Sequence, residues 1–393
     1  FKDKAFASKY ATGRQVKGDL SHQGHPVTEA LYSEFVQDKL IFQNNWKNDV
    51  VADLDVEPNI CVISSIELVS HLLDQGIDPS RIAFKSTSKW KYQEAIAMGI
   101  DEQNVSMLQY KSGELMVKSS LENNLRQNPR VQGLYDQIIM NPPYELTEDF
   151  LKLSDQLLKP NGQTAVICDA KRFKDIDWSY VKEYQYIHGA FTGVQLNMCI
   201  AIIDKQKQEE CLLIDLNNKK LSVKPEDIRT MPTEDLSVWT KVNNVLKQGY
   251  EGYFDFVNGG QLHNREVVEV RSGIEFLPTV GKTDEPIITK TISKSNLSKV
   301  TGGDKPWVVV GADYTTTAIG PMKIKPVDVY IGNRVYGIPC KSETEAKKVI
   351  KHLETDAVKN FVAGLKVTAK NSKEVFSRIP RHDESKKWMA SFE

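Results

Sequence analysis

The chain has 393 residues, 40% hydrophobic and 26% charged, which is ordinary for a soluble globular protein and more than one hydrophobic core usually organises. No apolar run approaches the ~18–20 residues that span a bilayer, and no secretory signal is read at the start, so a cytoplasmic protein without membrane contact is expected. Five widely spaced cysteines without a C-x-x-C and seven histidines without ligand spacing argue against a disulfide framework and against a metal site.

Residues 1–45 are polar and partly helical, with "TEALYSEFVQDKL" placing apolar residues at i, i+3, i+4 spacing. Strands and helices then alternate. "NICVIS" reads as a buried strand, "SIELVSHLLDQG" as a helix ending at Gly76, and "RIAFKS" as a second strand. "KWKYQEAIAMG" is a helix closed by Gly99 and "NVSMLQY" a third strand. "YDQIIM" is a fourth, followed by the helix "ELTEDFLKLSDQLLKPNG" with a Pro-Asn-Gly stop. "QTAVICDA" and "VQLNMCIAIID" complete the run. Strands spaced by such helices predict βαβ units in a doubly wound, mostly parallel, Rossmann-like sheet.

After about Lys220 the rhythm changes to a polar connector with one helix, then short strands rich in Gly, Pro and Thr, then two helical stretches. Two domains are therefore expected, residues 1–220 as a doubly wound α/β domain and 221–393 as a mixed α+β domain. From Gly281 to Glu393 there are 20 Lys+Arg against 13 Asp+Glu, an excess of basic groups that suits an anionic partner. Trp307, Tyr314, Tyr330 and Tyr336 lie near basic residues but read first as core and strand positions.

The most specific stretch is "DQIIMNPPYELTEDF", Asp136 to Phe150. Neither Pro142 nor Pro143 has an N–H for a ladder or helix, so the pair stiffens a turn at the end of an apolar strand. Such a turn displays Asn141 and Tyr144, and strand ends are where ligands of these sheets sit. The bland alternative is a rigid turn without chemistry. The functional reading starts from an aromatic exocyclic amine, a poor nucleophile because its lone pair is delocalised. An Asn oxygen and a backbone carbonyl can accept its two N–H groups and orient the lone pair toward a methyl sulfonium. Tyr144 offers a flat face to a base rotated out of a duplex.

With these residues in view, the "NPPY" of Asn141, Pro142, Pro143 and Tyr144 resembles the catalytic motif of amino-directed, S-adenosylmethionine-dependent methyltransferases, particularly N6-adenine DNA enzymes. "HGAFTGVQLNMCIAII" extends the resemblance, which implies that Phe191 packs on the flipped base. "HPVTEALYSEF" resembles the helix flanking the cofactor pocket, without the usual Thr-Pro. The tail from Gly337 is similar to the recognition region of type II restriction–modification adenine methyltransferases. What the resemblance implies is S-adenosylmethionine as cofactor, double-stranded DNA as substrate, and a restriction endonuclease of the same system as partner.

The sequence departs from the family at the cofactor. The first strand should end in a Gly-rich loop with an acid, yet "ICVISSIELV" offers Ser64, Ser65 and Glu67. The second and third should end in acids, yet they offer Lys85 with Ser86, and Gln109. Two accounts stay open. These six residues hold the cofactor by other hydrogen bonds, or the site has decayed or changed ligand, leaving a DNA-binding protein without turnover or an enzyme with a more anionic cofactor. The same chemistry also serves RNA bases and protein amides.

Overall fold

A computed structural model describes residues 59–111, 113–117, 133–188, 197–249, 254–262, 267–281, 285–311, 319–366, 373–381 and 386–392. The predicted N-terminal helix and Phe191 lie outside the described residues. The chain divides into two compact units, Phe1–Ile228 and Arg229–Glu393.

In the first unit β1 (Ile60–Ile63), α1 (Ile66–Asp74), β2 (Ile82–Ser86), α2 (Lys89–Ala97) and β3 (Val105–Lys111) follow the predicted alternation. A short β4 (Glu114–Val117) folds back on β3 as an antiparallel partner. Next come β5 (Tyr135–Met140), α3 (Thr147–Leu157), β6 (Leu158–Asp169), β7 (Val181–His188), β8 (Asn197–Asp204), β9 (Cys211–Ile214) and β10 (Lys220–Val223). They form one sheet in the order β10-β9-β7-β8-β6-β5-β1-β2-β3-β4. The strands from β6 through β3 in this order are parallel, and β8 runs antiparallel between β6 and β7. This is a doubly wound, Rossmann-like α/β sheet. All four residues of β1 are buried, as a strand covered on both faces requires. In α1, Ile66, Leu68, Val69 and Leu72 form the buried stripe, each worth about 1.5–3 kcal/mol against exposure.

From β1 the chain winds outward through β2 and β3, then returns to lay β5 on the other side of β1. The order reverses between β1 and β5, and the crevice outside their carboxyl ends is where such a sheet receives a ligand. Ile63 pairs with Met140, so Ser64 and Asn141 leave neighbouring strands at the same level.

The Pro-Asn-Gly signal is real but does not end a segment. The helix stops at Leu157, β6 starts at Leu158, and the register jumps from Tyr135↔Leu158 to Gln137↔Gln163. Pro160 and Asn161 therefore stand out as an exposed bulge within β6. Gly133 enters β5 at φ +71°, and a Cβ there would lie 1.9 Å from the Leu158 carbonyl oxygen. Gly133→Ala should cost about 2–3 kcal/mol, read as a lowered melting temperature, because strain and a backbone clash act together.

The division expected near Lys220 falls later. Strand β10 pairs with β9 along its whole length and completes the edge of the first sheet. In the second unit α4 (Leu236–Gln248) precedes β11 (Val257–Asn258), β12 (Glu269–Leu277), β13 (Lys290–Ile292), β14 (Trp307–Gly311), β15 (Met322–Lys325), β16 (Val329–Ile331) and β17 (Val335–Pro339). Helices α5 (Glu343–Leu353), α6 (Asp356–Leu365), α7 (Lys373–Phe376) and α8 (Lys386–Met389) close it. The strands make two small sheets, β11-β17-β14-β15 and β13-β12-β16. Phe256, Phe361, Phe376 and Trp388 are buried in its main core. Trp307 is buried in a smaller cluster, and Tyr330 and Tyr336 are half-buried in strands; Tyr314 lies outside the described residues.

Candidate active site

Strand β5 delivers the motif. Ile138, Ile139 and Met140 are fully buried, and the chain leaves the sheet at Asn141. Pro142 and Pro143 take neither helix nor strand form, and the Leu146 N–H donates to the Pro143 carbonyl at 2.8 Å to start the next turn. A 3₁₀ turn, Tyr144–Leu146, then runs into α3, whose first turn carries Glu148 and Asp149, the signs a helix N-terminus favours. The backbone of Tyr144 is described; the direction of its ring is not.

Asn141 is buried, and its Oδ1 accepts no hydrogen bond among the described residues. A buried acceptor left in this state costs about 1–3 kcal/mol, so an oxygen held there by two prolines calls for a use.

Beside it, Ser64 adopts φ +67°, the left-handed region that favours glycine. The glycine-like turn that the sequence lacks by letter is thus present in backbone form. Its N–H donates to the Lys85 carbonyl at 2.9 Å, and its own carbonyl accepts from Lys91 Nζ at 2.7 Å. Ser65 Oγ donates to Glu67 Oε2 at 3.0 Å on the first turn of α1. At the end of β2, Ser86 Oγ accepts the Ser88 N–H at 3.0 Å and shapes the loop into α2.

The structure therefore gathers Ser64, Ser65, Glu67 and Ser86 with Asn141 at the switch point. It separates two other predicted residues from them. The Lys85 ammonium lies 5.4 Å from the ring centre of Tyr135, the first residue of β5, so it is directed back along the sheet. Gln109 is exposed, two residues beyond the last β2–β3 pair, Ser86↔Met107, where β3 turns into its hairpin with β4. Its neighbour Tyr110 donates to Asp149 Oδ2 at 2.9 Å, tying β3 to the helix that follows the motif. Partial burial, then that hydrogen bond, pushes the phenol well above its ordinary pKa and keeps it a donor.

Sequence reading missed Lys91. It is buried with Ala95, four residues on, as the inward face of α2, a spacing visible in "KWKYQEA". Burial lowers its pKa, opposed by the attraction of Glu67. Lys91, Glu67, the serines and Asn141 lie on the segments that follow the carboxyl ends of β1, β2 and β5, and these donor and acceptor types would suit an adenosyl ligand with an amino-acid tail. Among the described residues no group of three or more His, Cys, Asp or Glu could hold a metal, and no helix is long and apolar enough to cross a membrane.

No protein-family model matches the sequence, and no curated protein matches it. Among solved structures, the type IIL restriction–modification enzyme MmeI in complex with DNA aligns with 98% of this chain and 73% of its own, at 12% identity and a TM-score of 0.49. A DrdV–DNA complex aligns with 96% of this chain and 56% of its own, at 11% identity and a TM-score of 0.41. The type IIG restriction endonuclease BpuSI aligns with 83% and 56%, at 10% identity and a TM-score of 0.36. The chain spans a little over half the length of the last two.

Proposed function

We propose that the protein methylates the exocyclic N6 amine of adenine in double-stranded DNA, with S-adenosylmethionine as methyl donor and the target base rotated out of the duplex. The observation that carries this reading is the buried Asn141 oxygen at the end of β5, without a partner among the described residues and beside the β1–β5 switch point.

Each residue has a role that follows from its chemistry. Asn141 Oδ1 accepts one amine N–H and a carbonyl of the proline turn accepts the other, so the nitrogen lone pair faces away from the turn. Fixed acceptors are already oriented when positive charge develops on the nitrogen, which is where their stabilisation counts. The bound cofactor supplies a methyl group on a sulfonium. With that group bound, Asn141 and the proline-turn carbonyl would hold the amine nitrogen oriented toward the methyl carbon, and the methylated amine would release its proton to water. Tyr144 and Phe191 are assigned to stacking on the extrahelical base. Ser64, Ser65, Glu67 and Ser86 are assigned to the cofactor; Lys85 and Gln109, by their positions, are assigned no contact with it. The second unit is assigned to DNA recognition and the first to catalysis. A restriction endonuclease of the same system is the proposed partner, and five widely spaced, buried cysteines suit a reducing cytoplasm.

The test offers duplex DNA, RNA and protein separately with methyl-labelled S-adenosylmethionine. Label in duplex DNA supports the proposal. Label confined to RNA or protein overturns the substrate, and no label in any supports a DNA-binding protein without turnover.

A further inference from the structure

Lys91 takes no part in the chemistry above, yet its buried Nζ sits against the Ser64 carbonyl, just past the carboxyl end of β1. It is 8% exposed, and its Nζ makes one hydrogen bond, to the Ser64 carbonyl at 2.7 Å. An ammonium has three N–H groups, so two remain without a partner among the described residues. Glu67 attracts it but forms no ion pair with it, and the Glu67 carboxylate already accepts from Ser65. A buried cation is costly unless paired, and one carbonyl does not neutralise it. A purely structural lysine pinning the Ser64 turn would have no need of spare donors. The end of β2 is also where related sheets discriminate between ligand groups, an acid favouring ribose hydroxyls and a cation favouring an anion.

We propose that Lys91 is the anion-binding residue of this crevice: a carboxylate or phosphate on the adenosyl ligand docks on its spare N–H groups, and the site selects ligands that carry such a group. The inference rests on the reading of the crevice as an adenosyl site, and it replaces Lys85 with Lys91 as the cation that the ligand meets.

Calorimetry on the full chain tests it with S-adenosylmethionine, S-adenosylhomocysteine, 5′-methylthioadenosine (which lacks the carboxylate), ATP and adenosine. The wild type should bind S-adenosylhomocysteine at least about tenfold more tightly than 5′-methylthioadenosine, the size of one good charge-assisted contact. In Lys91→Met that margin should collapse while 5′-methylthioadenosine affinity holds, and Lys91→Arg should restore it. Melting curves establish that the variants fold, and Lys91→Gln replaces Lys91→Met if the latter does not. If the margin belongs to ATP over adenosine instead, and depends on Lys91, the anion is a phosphate; this inference then stands and the methyl-transfer reading fails. If S-adenosylmethionine binds and the margin survives Lys91→Met, the inference is overturned and the methyl-transfer reading is untouched. Absence of binding by every ligand overturns it as well.

Discussion

Asn141→Ala is expected to lower the rate of methyl transfer by about 10²–10³ while leaving the melting temperature equal to or above that of the wild type. The two halves of this expectation come from one atom. The Asn141 oxygen is buried without a partner among the described residues, so removing it discards an unfavourable group from the folded state. In the proposed mechanism the same oxygen accepts from the target amine, so removing it would discard orientation and charge stabilisation from the transition state. An important packing residue would instead lose stability and activity together. A rate near wild type in the folded variant would remove the motif from the mechanism.

Duplex DNA should be released steeply by salt. Each phosphate neutralised by Lys or Arg frees counterions, and for three such phosphates a fourfold rise in salt weakens binding by roughly 40-fold. The side chains expected to contribute are the exposed lysines of the basic segment, including Lys347, Lys348 and Lys351 on α5. Lys323, Lys325 and Lys366 are buried and unavailable to phosphate; burial pushes the Lys325 and Lys366 ammonium groups down to about 8. Neutralising Lys347, Lys348 and Lys351 together should make the slope of log affinity against log salt shallower, by about one for each phosphate the protein no longer neutralises. Affinity indifferent to salt would contradict DNA binding through this unit.

Much of the sheet was legible because buried parallel strands leave short apolar runs, and "ICVI", "IAF" and "IIM" are such runs bounded by helices with glycine stops. The strand Val181–His188 was missed since its polar Lys182, Glu183 and Gln185 break the run, although Tyr184 and Tyr186 are buried at period two. The edge strands Cys211–Ile214 and Lys220–Val223 went unread because each is only four residues long, and so the boundary set near Lys220 cuts the second of them. At the site, Asn141 could be read because two prolines announce a turn. The conformation of Ser64 could not, since a serine at φ +67° carries no mark in its letter. Lys85 and Lys91 show a further limit. Both are lysines near the end of β2, and only the structure shows that one reaches toward Tyr135 and the other toward Ser64.

Nucleoside analysis of duplex DNA, free of prior methylation, after incubation with the full chain and S-adenosylmethionine decides whether methyl transfer occurs. N6-methyldeoxyadenosine is expected from the wild type, and about 10²–10³ less from Asn141→Ala. A methyl group on a ring carbon, or equal yields from the two proteins, would contradict the proposed mechanism.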